Sequence, residues 1–150
     1  MSLLVRDLYE SDIDECISMS DENFDGIYKN GKNDLLEGIN DPNQFYKALT
    51  LDNKIIGFIG FSEANFTYNC YGIYWFNINS QYQRNGYGKY LLNYVIDELK
   101  NKPIYKDIYN DIDTMWLILT CKTDKVDFYK KFGFKIINVD GNKNLMLFSL

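Results

Sequence analysis

The sequence predicts a single α/β domain built on a mixed β-sheet. Short apolar runs typical of strands, such as "TMWLILTC", alternate with runs of helical spacing, such as Leu91, Val95 and Leu99. Their order is β-α-α-β-β-β-α-β-α-β-β, with no internal repeat, linker or low-complexity segment. A length of 150 residues and a hydrophobic content of 46% are sufficient for one folded core.

The first half of the chain provides four strands and two helices. "LLVRDLY" is a first strand, and a helix follows it with Ser11 as the expected N-cap. A short helix is predicted around residues 33–39, inside loops rich in Gly, Asn and Asp. Two apolar runs then flank Asp52–Asn53, which predicts a hairpin turn. "YGIYWFNIN" is almost continuous in large residues, so a central strand is expected there.

The second half adds two helices and three strands. A helix with one broad apolar face ends near Asn101, and residues 103–113 form a polar and aromatic connector of no clear class. After the strand "TMWLILTC", the pattern "DKVDFYKKF" predicts a short helix with Asp124 as N-cap and Gly133 as its stop. The last two strands flank a turn at Gly141–Asn142.

The composition excludes several classes of chemistry. The chain has three cysteines without CxxC spacing and no histidine, which argues against a disulfide framework, a zinc site and nucleophiles activated by histidine. Acid–base chemistry must therefore use Tyr, Asp, Glu, Lys, Cys or water. No window of 18 apolar residues occurs, and the first residues lack the pattern of a signal peptide. We expect a cytoplasmic protein with no membrane partner and no metal.

Charge is distributed unevenly along the chain. The net charge is −5, but residues 1–41 contain eleven acidic and three basic residues, which is −8, and the other 109 residues contain ten acidic and thirteen basic residues, which is +3. This asymmetry predicts two surfaces with different partners, or alternatively an acidic helix face that is only solvated. The acidic total argues against nucleic acid as a partner.

The stretch Gln83–Gly88, "QRNGYG", lies where a strand ends and a helix begins. The first turn of a helix has backbone N–H groups without partners and carries the positive end of the dipole. Gly86 and Gly88 remove side chains at that point, and Arg84 and Lys89 add positive charge. The pattern predicts a pyrophosphate cradle, although a tight strand–helix turn is the simpler alternative. It is neither a Walker loop nor a three-glycine dinucleotide fingerprint.

Two motifs resemble one known family. "QRNGYG" is similar to the Q/R-x-x-G-x-G/A signature of the GCN5-related N-acetyltransferase (GNAT) family, and the strand before it is similar to that family's central strand. About forty residues later, "FYKKFGF" resembles the second family motif, F/L-Y-x-x-x-G-F. The order and spacing of both motifs agree with the family, and the resemblance extends from about Leu4 to the C-terminus.

The resemblance implies a GNAT-like α/β fold and acetyl-CoA as co-substrate. The mixed sheet would have six to seven strands, would be splayed between the fourth and fifth strands where acetyl-CoA lies, and would be flanked by about four helices. An amine would attack the thioester directly, without a covalent enzyme intermediate. The residues implied in cofactor binding are Phe76, Asn77 and Ile78 for the pantetheine arm and Gln83, Arg84, Asn85, Gly86, Tyr87, Gly88 and Lys89 for the pyrophosphate.

The resemblance also implies catalytic residues. Tyr129 occupies the position of the tyrosine that assists the departing thiolate. Lys122 replaces an asparagine that is frequent in the second motif, and we include it among the residues that could contact a CoA phosphate. Gly72 occupies about the place of the glutamate that histone-acetylating members have, which weakens a protein-tail interpretation. Glu63 is then the nearest candidate base, acting directly or through water, and a solvated strand-end carboxylate is the alternative interpretation of Glu63.

These observations predict an N-acetyltransferase that moves an acetyl group from acetyl-CoA to the primary amine of a small, cationic acceptor. Asp21, Glu22 and Asp25, placed in the loop between the first two helices, are the candidate ligands of that acceptor. Four alternatives stay open: another acyl donor, an amino acid as acceptor, a protein N-terminus as acceptor, or a CoA-binding module of the same fold without catalysis. Homodimerisation is also left open.

Overall fold

The computed structural model describes residues 2–26, 29–64, 69–101 and 115–150. In these residues seven strands form one sheet, in the order β1-β2-β3-β4-β5-β7-β6. The strands are β1 (Leu3–Asp7), β2 (Gln44–Leu51), β3 (Lys54–Glu63), β4 (Cys70–Ile78), β5 (Trp116–Lys122), β6 (Lys135–Asp140) and β7 (Lys143–Ser149). The helices are α1 (Ile13–Phe24), α2 (Gly31–Asn40), α3 (Tyr87–Lys100) and α4 (Val126–Lys130).

This architecture confirms the predicted α/β fold with a mixed sheet and four helices. β4 and β5 are parallel, and their ladder joins Cys70–Gly72 to Trp116–Ile118. β1 and β2 are antiparallel, as are β5 and β7, and β6 and β7. The predicted connector at residues 103–113 lies outside the described residues.

The hairpin turn between β2 and β3 forms as its sequence predicts. Asp52 and Asn53 have φ values of 50° and 69°, the left-handed region that a two-residue hairpin turn requires at both central positions. Aspartate and asparagine tolerate this region better than most residues because their short polar side chains bond locally. Gly141, with φ of 60°, begins the turn between β6 and β7.

The predicted N-caps are wrong. Ser11 lies inside a 3-10 turn (Glu10–Asp12), and Asp12 is the residue before α1. Arg6 Nη1 and Nη2 donate to the Asp12 carboxylate at 2.7 and 3.0 Å, and the Tyr9 N–H donates to it at 2.8 Å. These bonds hold the Asp12 carboxylate at the start of α1. Asp124 also lies in a 3-10 turn (Thr123–Lys125), so α4 begins at Val126.

The chain divides into two compact units. The first comprises Met1–Phe61 and Tyr74–Glu98. Its core packs apolar side chains of α1 and α2 against β2 and β3, and includes Leu8, Ile13, Cys16, Met19, Leu35, Tyr46, Ala48, Ile55 and Phe58. The second comprises Ser62–Ile73 and Leu99–Leu150. In it Phe134 stacks on Phe148 with ring centroids 5.1 Å apart. None of the described helices is long and apolar enough to cross a membrane.

Candidate functional site

The loop between β4 and α3 is anchored to the neighbouring strand. The Asn79 N–H donates to the Ile56 carbonyl in β3 at 2.7 Å, and the Asn79 side chain accepts from the Gln81 N–H at 3.0 Å. A 3-10 turn (Ser80–Tyr82) follows, and α3 begins at Tyr87. The loop therefore leaves the sheet in a direction that local hydrogen bonds determine.

The backbone of this loop contains two left-handed residues just before α3. Arg84 has φ of 64° and Gly86 has φ of 83°, whereas Asn85 between them is not left-handed. Left-handed residues in a loop can turn backbone N–H groups toward a concavity that binds an anion. The Tyr90 N–H donates to the Gly86 carbonyl at 3.0 Å, which closes the first turn of α3. The N–H groups of that turn and the positive end of the helix dipole meet at this point.

Gly86 is needed for its backbone conformation. A Cβ built on Gly86 would meet no atom of the described residues within 4 Å, so nothing in the folded chain crowds this position. At φ of 83° an L-residue other than Asn or Asp is strained. The glycine therefore supplies both the left-handed turn and open space beside the backbone, which a phosphate group needs.

The side chains of two predicted pyrophosphate residues form hydrogen bonds within the protein although both residues are exposed. Asn85 Nδ2 donates to the carbonyl groups of Tyr82 and Gln83, both at 3.2 Å. Gln83 Nε2 donates to Asn23 Oδ1 at 3.1 Å and to the Ile78 carbonyl at 3.0 Å. These side chains brace the loop, and the side chains of Arg84 and Lys89 are exposed. Positive charge in the loop thus comes from residues that point to solvent.

β4 contains a feature that the sequence did not reveal. Trp75 has φ of 53° in the middle of the strand, a rare conformation for a bulky residue. Such a residue interrupts the regular alternation of side chains between the two faces of the sheet, and it changes the direction of the neighbouring N–H and C=O groups. Its ring lies 6.2 Å from that of Phe58, centroid to centroid. The strand pattern "YGIYWFNIN" has no turn residue at this position, so periodicity could not have identified it.

The three residues predicted to contact a pantetheine arm follow directly after Trp75. Phe76 is half-buried, and Asn77 is buried, with 2% of its surface exposed. The Ile78 carbonyl already accepts from the side-chain amides of Asn23 and Gln83. The pantetheine role of the three residues stays a prediction. The Ile78 carbonyl is excluded from that role because it already accepts two hydrogen bonds within the protein.

Tyr129 lies on α4, in the second unit, among aromatic rings. Its ring is 5.1 Å from that of Phe128 and 5.6 Å from that of Phe134, both edge-on. Burial raises the pKa of the Tyr129 phenol well above its ordinary value, and nearby Cys121 raises it further. The phenol is therefore protonated at neutral pH and can act as a hydrogen-bond donor.

The remaining candidates are at strand ends in the second unit. Glu63 ends β3 and Lys122 ends β5, and both are exposed. Cys121 is half-buried, with its Sγ 3.5 Å from Met146 Sδ, and burial raises the pKa of its thiol, which suits a packing role. In the β4–β5 ladder Gly72 is opposite Ile118. The roles of Glu63 and Lys122 stay predictions.

The three candidate acceptor ligands are at the end of α1. Asp21 and Glu22 lie in its last turn, since the helix continues to Phe24, and their predicted position in the inter-helix loop is wrong. Asp25 is the C-cap residue, with φ of 55°. All three are exposed, and Glu22 accepts a hydrogen bond from the Ser80 hydroxyl. Carboxylates at a helix C-terminus face the negative end of the dipole, and the last turn of α1 has no basic residue.

A metal site has no support from the side chains. The described part of the chain has no group of three or more His, Cys, Asp or Glu side chains arranged to hold a metal ion.

The seven-stranded mixed sheet, with a glycine-containing loop directly after its central strand, agrees with an acetyltransferase fold. A family comparison gives the particular family: residues 6–134 match the Acetyltransferase (GNAT) family, and the chain belongs to it. It is an acetyl-CoA-dependent N-acetyltransferase. No curated protein sequence matches the chain significantly.

Solved structures share this fold at low sequence identity. The PaiA N-acetyltransferase of Thermoplasma acidophilum in complex with coenzyme A is 22% identical, with a TM-score of 0.80 and full coverage of both chains. The ribosomal-protein-S18-alanine N-acetyltransferase of Escherichia coli is 16% identical, with a TM-score of 0.73 and coverage of 99% of this chain and 93% of that one. The spermidine/spermine N-acetyltransferase SpeG of Vibrio cholerae is 15% identical, with a TM-score of 0.66 and coverage of 99% and 95%.

Proposed function

We propose that this acetyltransferase is a cytoplasmic enzyme that acetylates the primary amine of a small cationic acceptor. The observation that carries the proposal is the acidic end of α1, where Asp21, Glu22 and Asp25 are exposed. Because the helix dipole disfavours negative charge at a C-terminus, these carboxylates oppose the local field. A bound cation would relieve that repulsion, so the site favours an ammonium group over a carboxylate.

Acetyl-CoA is the acetyl donor in this proposal. Its pyrophosphate binds the backbone N–H groups from Arg84 to Lys89, where Gly86 and Gly88 allow close approach. Its pantetheine arm pairs with backbone at Phe76 and Asn77. Lys122 contributes positive charge toward a phosphate of the cofactor. These contacts need no metal ion.

Acetyl transfer proceeds in one displacement on the thioester. The neutral amine nitrogen attacks the carbonyl carbon, a C–N bond forms, and the C–S bond breaks to release the thiolate of coenzyme A. The Tyr129 hydroxyl donates a hydrogen bond to the departing sulfur. An ordinary tyrosine pKa near 10 exceeds a thiol pKa near 8.5, and the upward shift widens the gap, so Tyr129 stabilises the thiolate more by hydrogen bonding than by full proton transfer. Glu63, through water, takes the proton from the amine.

Neutralisation of the acidic end of α1 tests the acceptor. The triple variant Asp21→Asn, Glu22→Gln, Asp25→Asn should raise KM for a polyamine or an aminoglycoside by about tenfold or more, since each lost charge pair weakens the electrostatic attraction. KM for acetyl-CoA should change little. The control is Glu37→Gln, Asp97→Asn, Asp140→Asn, which removes the same charge from exposed positions elsewhere.

The alternatives make different predictions in that experiment. If the acceptor is an amino acid or a protein N-terminus, the triple variant should keep or improve its activity toward that acceptor. If the protein is a CoA-binding module without catalysis, no amine should release free thiol from acetyl-CoA, although the cofactor should still bind. Equal effects of the triple variant and its control would contradict a specific role for the end of α1.

A further inference from the structure

The side chain of Asn23 connects three parts of the first unit. Asn23 lies near the end of α1, and its Nδ2 donates to Asn77 Oδ1 and to the Ile78 carbonyl, both at 2.9 Å. Its Oδ1 accepts from Gln83 Nε2 at 3.1 Å. The partners are 54 to 60 residues away along the chain, so these are tertiary contacts that tie α1 to β4 and to the loop before α3.

The geometry uses every amide hydrogen of Asn23 and Gln83. Gln83 Nε2 donates its second hydrogen to the Ile78 carbonyl at 3.0 Å, so this carbonyl accepts two bonds and both of its lone pairs are engaged. Asn77 is buried, and its own Nδ2 points to the Trp75 carbonyl at 3.4 Å. Hydrogen-bonded amides therefore run from Gln83 through Asn23 and Asn77 to Trp75.

Strained backbone lies at both ends of this network. Trp75 and Arg84 are both left-handed, with φ of 53° and 64°. A non-glycine residue keeps such a conformation only when its surroundings fix it. Gln83 precedes Arg84 directly, and Asn77 bonds the carbonyl of Trp75. Asn23 is the residue that joins the two ends.

We propose that Asn23 is a positioning residue that holds the loop at Arg84 and the strand at Trp75 in the conformation that binds acetyl-CoA. Both amide hydrogens of Asn23 are engaged within the protein, so we assign it no direct contact with the cofactor. Its effect passes through Gln83 and Asn77. This inference rests on the proposed role of the loop as the pyrophosphate cradle.

The test measures acetyl-CoA binding and steady-state kinetics for Asn23→Ala, Gln83→Ala and the double variant. Each single change should weaken acetyl-CoA binding about tenfold, because the backbone must then be ordered by the cofactor itself. The double variant should lose much less than the product of the two effects, since both residues act through one network. KM for acetyl-CoA should rise while kcat at saturation stays within about twofold.

Asn40→Ala is the matched control. Asn40 lies at the end of α2, where its amide donates to the Leu36 carbonyl at 3.0 Å and to Glu10 Oε1 at 3.2 Å. Because Asn40 only stabilises a helix end, its replacement by alanine should lower the melting temperature and leave KM for acetyl-CoA unchanged. If Asn23→Ala fails to fold, Gln83→Ala alone carries the test, because Gln83 is exposed and its removal leaves the core intact.

The outcomes distinguish the positioning role of Asn23 from the proposed pyrophosphate-binding role of the loop. Tight binding of acetyl-CoA by the unsubstituted chain, together with unchanged binding by Asn23→Ala or Gln83→Ala, would overturn the inference alone. Fully multiplicative effects of the two changes would overturn it as well. Failure of the unsubstituted chain to bind acetyl-CoA would overturn both the cradle and the inference.

Discussion

The ring of Phe134 lies edge-on to that of Tyr129, with centroids 5.6 Å apart, and the Phe134 N–H donates to the Tyr129 carbonyl at 3.2 Å. Gly133, with φ of 107°, makes this return of the chain possible. A Cβ at Gly133 would lie 3.2 Å from the Phe148 ring, so space and backbone conformation both favour glycine. The spacing Y-x-x-x-G-F thus has a physical basis in the packing around Tyr129.

Removal of the Tyr129 hydroxyl should slow the chemical step. Tyr129→Phe keeps the ring contacts and should lower kcat by about one to three orders of magnitude, with KM for acetyl-CoA little changed, because the hydrogen bond to the departing sulfur is lost. Tyr46→Phe is the matched control, since burial also raises the pKa of Tyr46 and its hydroxyl bonds Gln44. Equal kcat in Tyr129→Phe and the unsubstituted enzyme would make Tyr129 a packing residue.

The same raised pKa predicts how stability depends on alkaline pH. Because the folded-state pKa of Tyr129 lies above the unfolded value near 10, the folded chain retains a proton that the unfolded chain releases. This contribution to stability is complete below pH 10 and decreases as pH rises above it. Urea unfolding between pH 8 and 11 should therefore show a loss of stability above pH 10, and the loss should be smaller in Tyr129→Phe. An unfolding free energy that rises over this range would contradict the assignment.

Gly86 can be tested against a glycine of the same geometry. Gly86→Val should weaken acetyl-CoA binding by tenfold or more, because the side chain occupies space beside the backbone where the pyrophosphate binds. Gly141→Val is the control: Gly141 has φ of 60°, and a Cβ there would also meet no atom of the described residues within 4 Å. Both variants should lose similar stability from backbone strain. Unchanged cofactor affinity in a folded Gly86→Val protein would exclude the loop as the pyrophosphate site.

The Arg6–Asp12 pair should stabilise the start of α1. Burial of Asp12 raises the pKa of its carboxyl, but the hydrogen bonds from Arg6 and Tyr9 outweigh this and hold the pKa below its usual value. The stabilisation is therefore present above about pH 4 and is lost as pH falls below it. Asp12→Asn should cost about 1–2 kcal/mol at pH 7 by chemical denaturation. Asp14→Asn, which removes an exposed ion pair with Lys32, should change little.

The order of elements and the position of the loop between β4 and α3 could be predicted from the sequence. The residues that hold this loop and β4 in place could not. Apolar periodicity and turn residues such as Asp52 and Asn53 depend on local conformation, and the order of elements and the hairpin turn predicted from them were right. The error at Ser11 arose because bonds from Arg6 and the Tyr9 N–H hold the Asp12 carboxylate and override the local capping preference, whereas Asp124 lies inside a 3-10 turn before α4. Trp75 and Asn23 could not be predicted, since a strained tryptophan and an asparagine bonded to residues 54 to 60 positions away leave no local pattern.

The acceptor comparison tests the central claim most directly. Release of free thiol from acetyl-CoA should be measured with spermidine, an aminoglycoside and glutamate, at low and at high salt, with the acetylated product identified by mass. The account predicts that a cationic amine has a kcat/KM at least tenfold above that of glutamate at low salt, and that salt reduces this advantage by screening. Preference for glutamate, or cationic activity indifferent to salt, would contradict it.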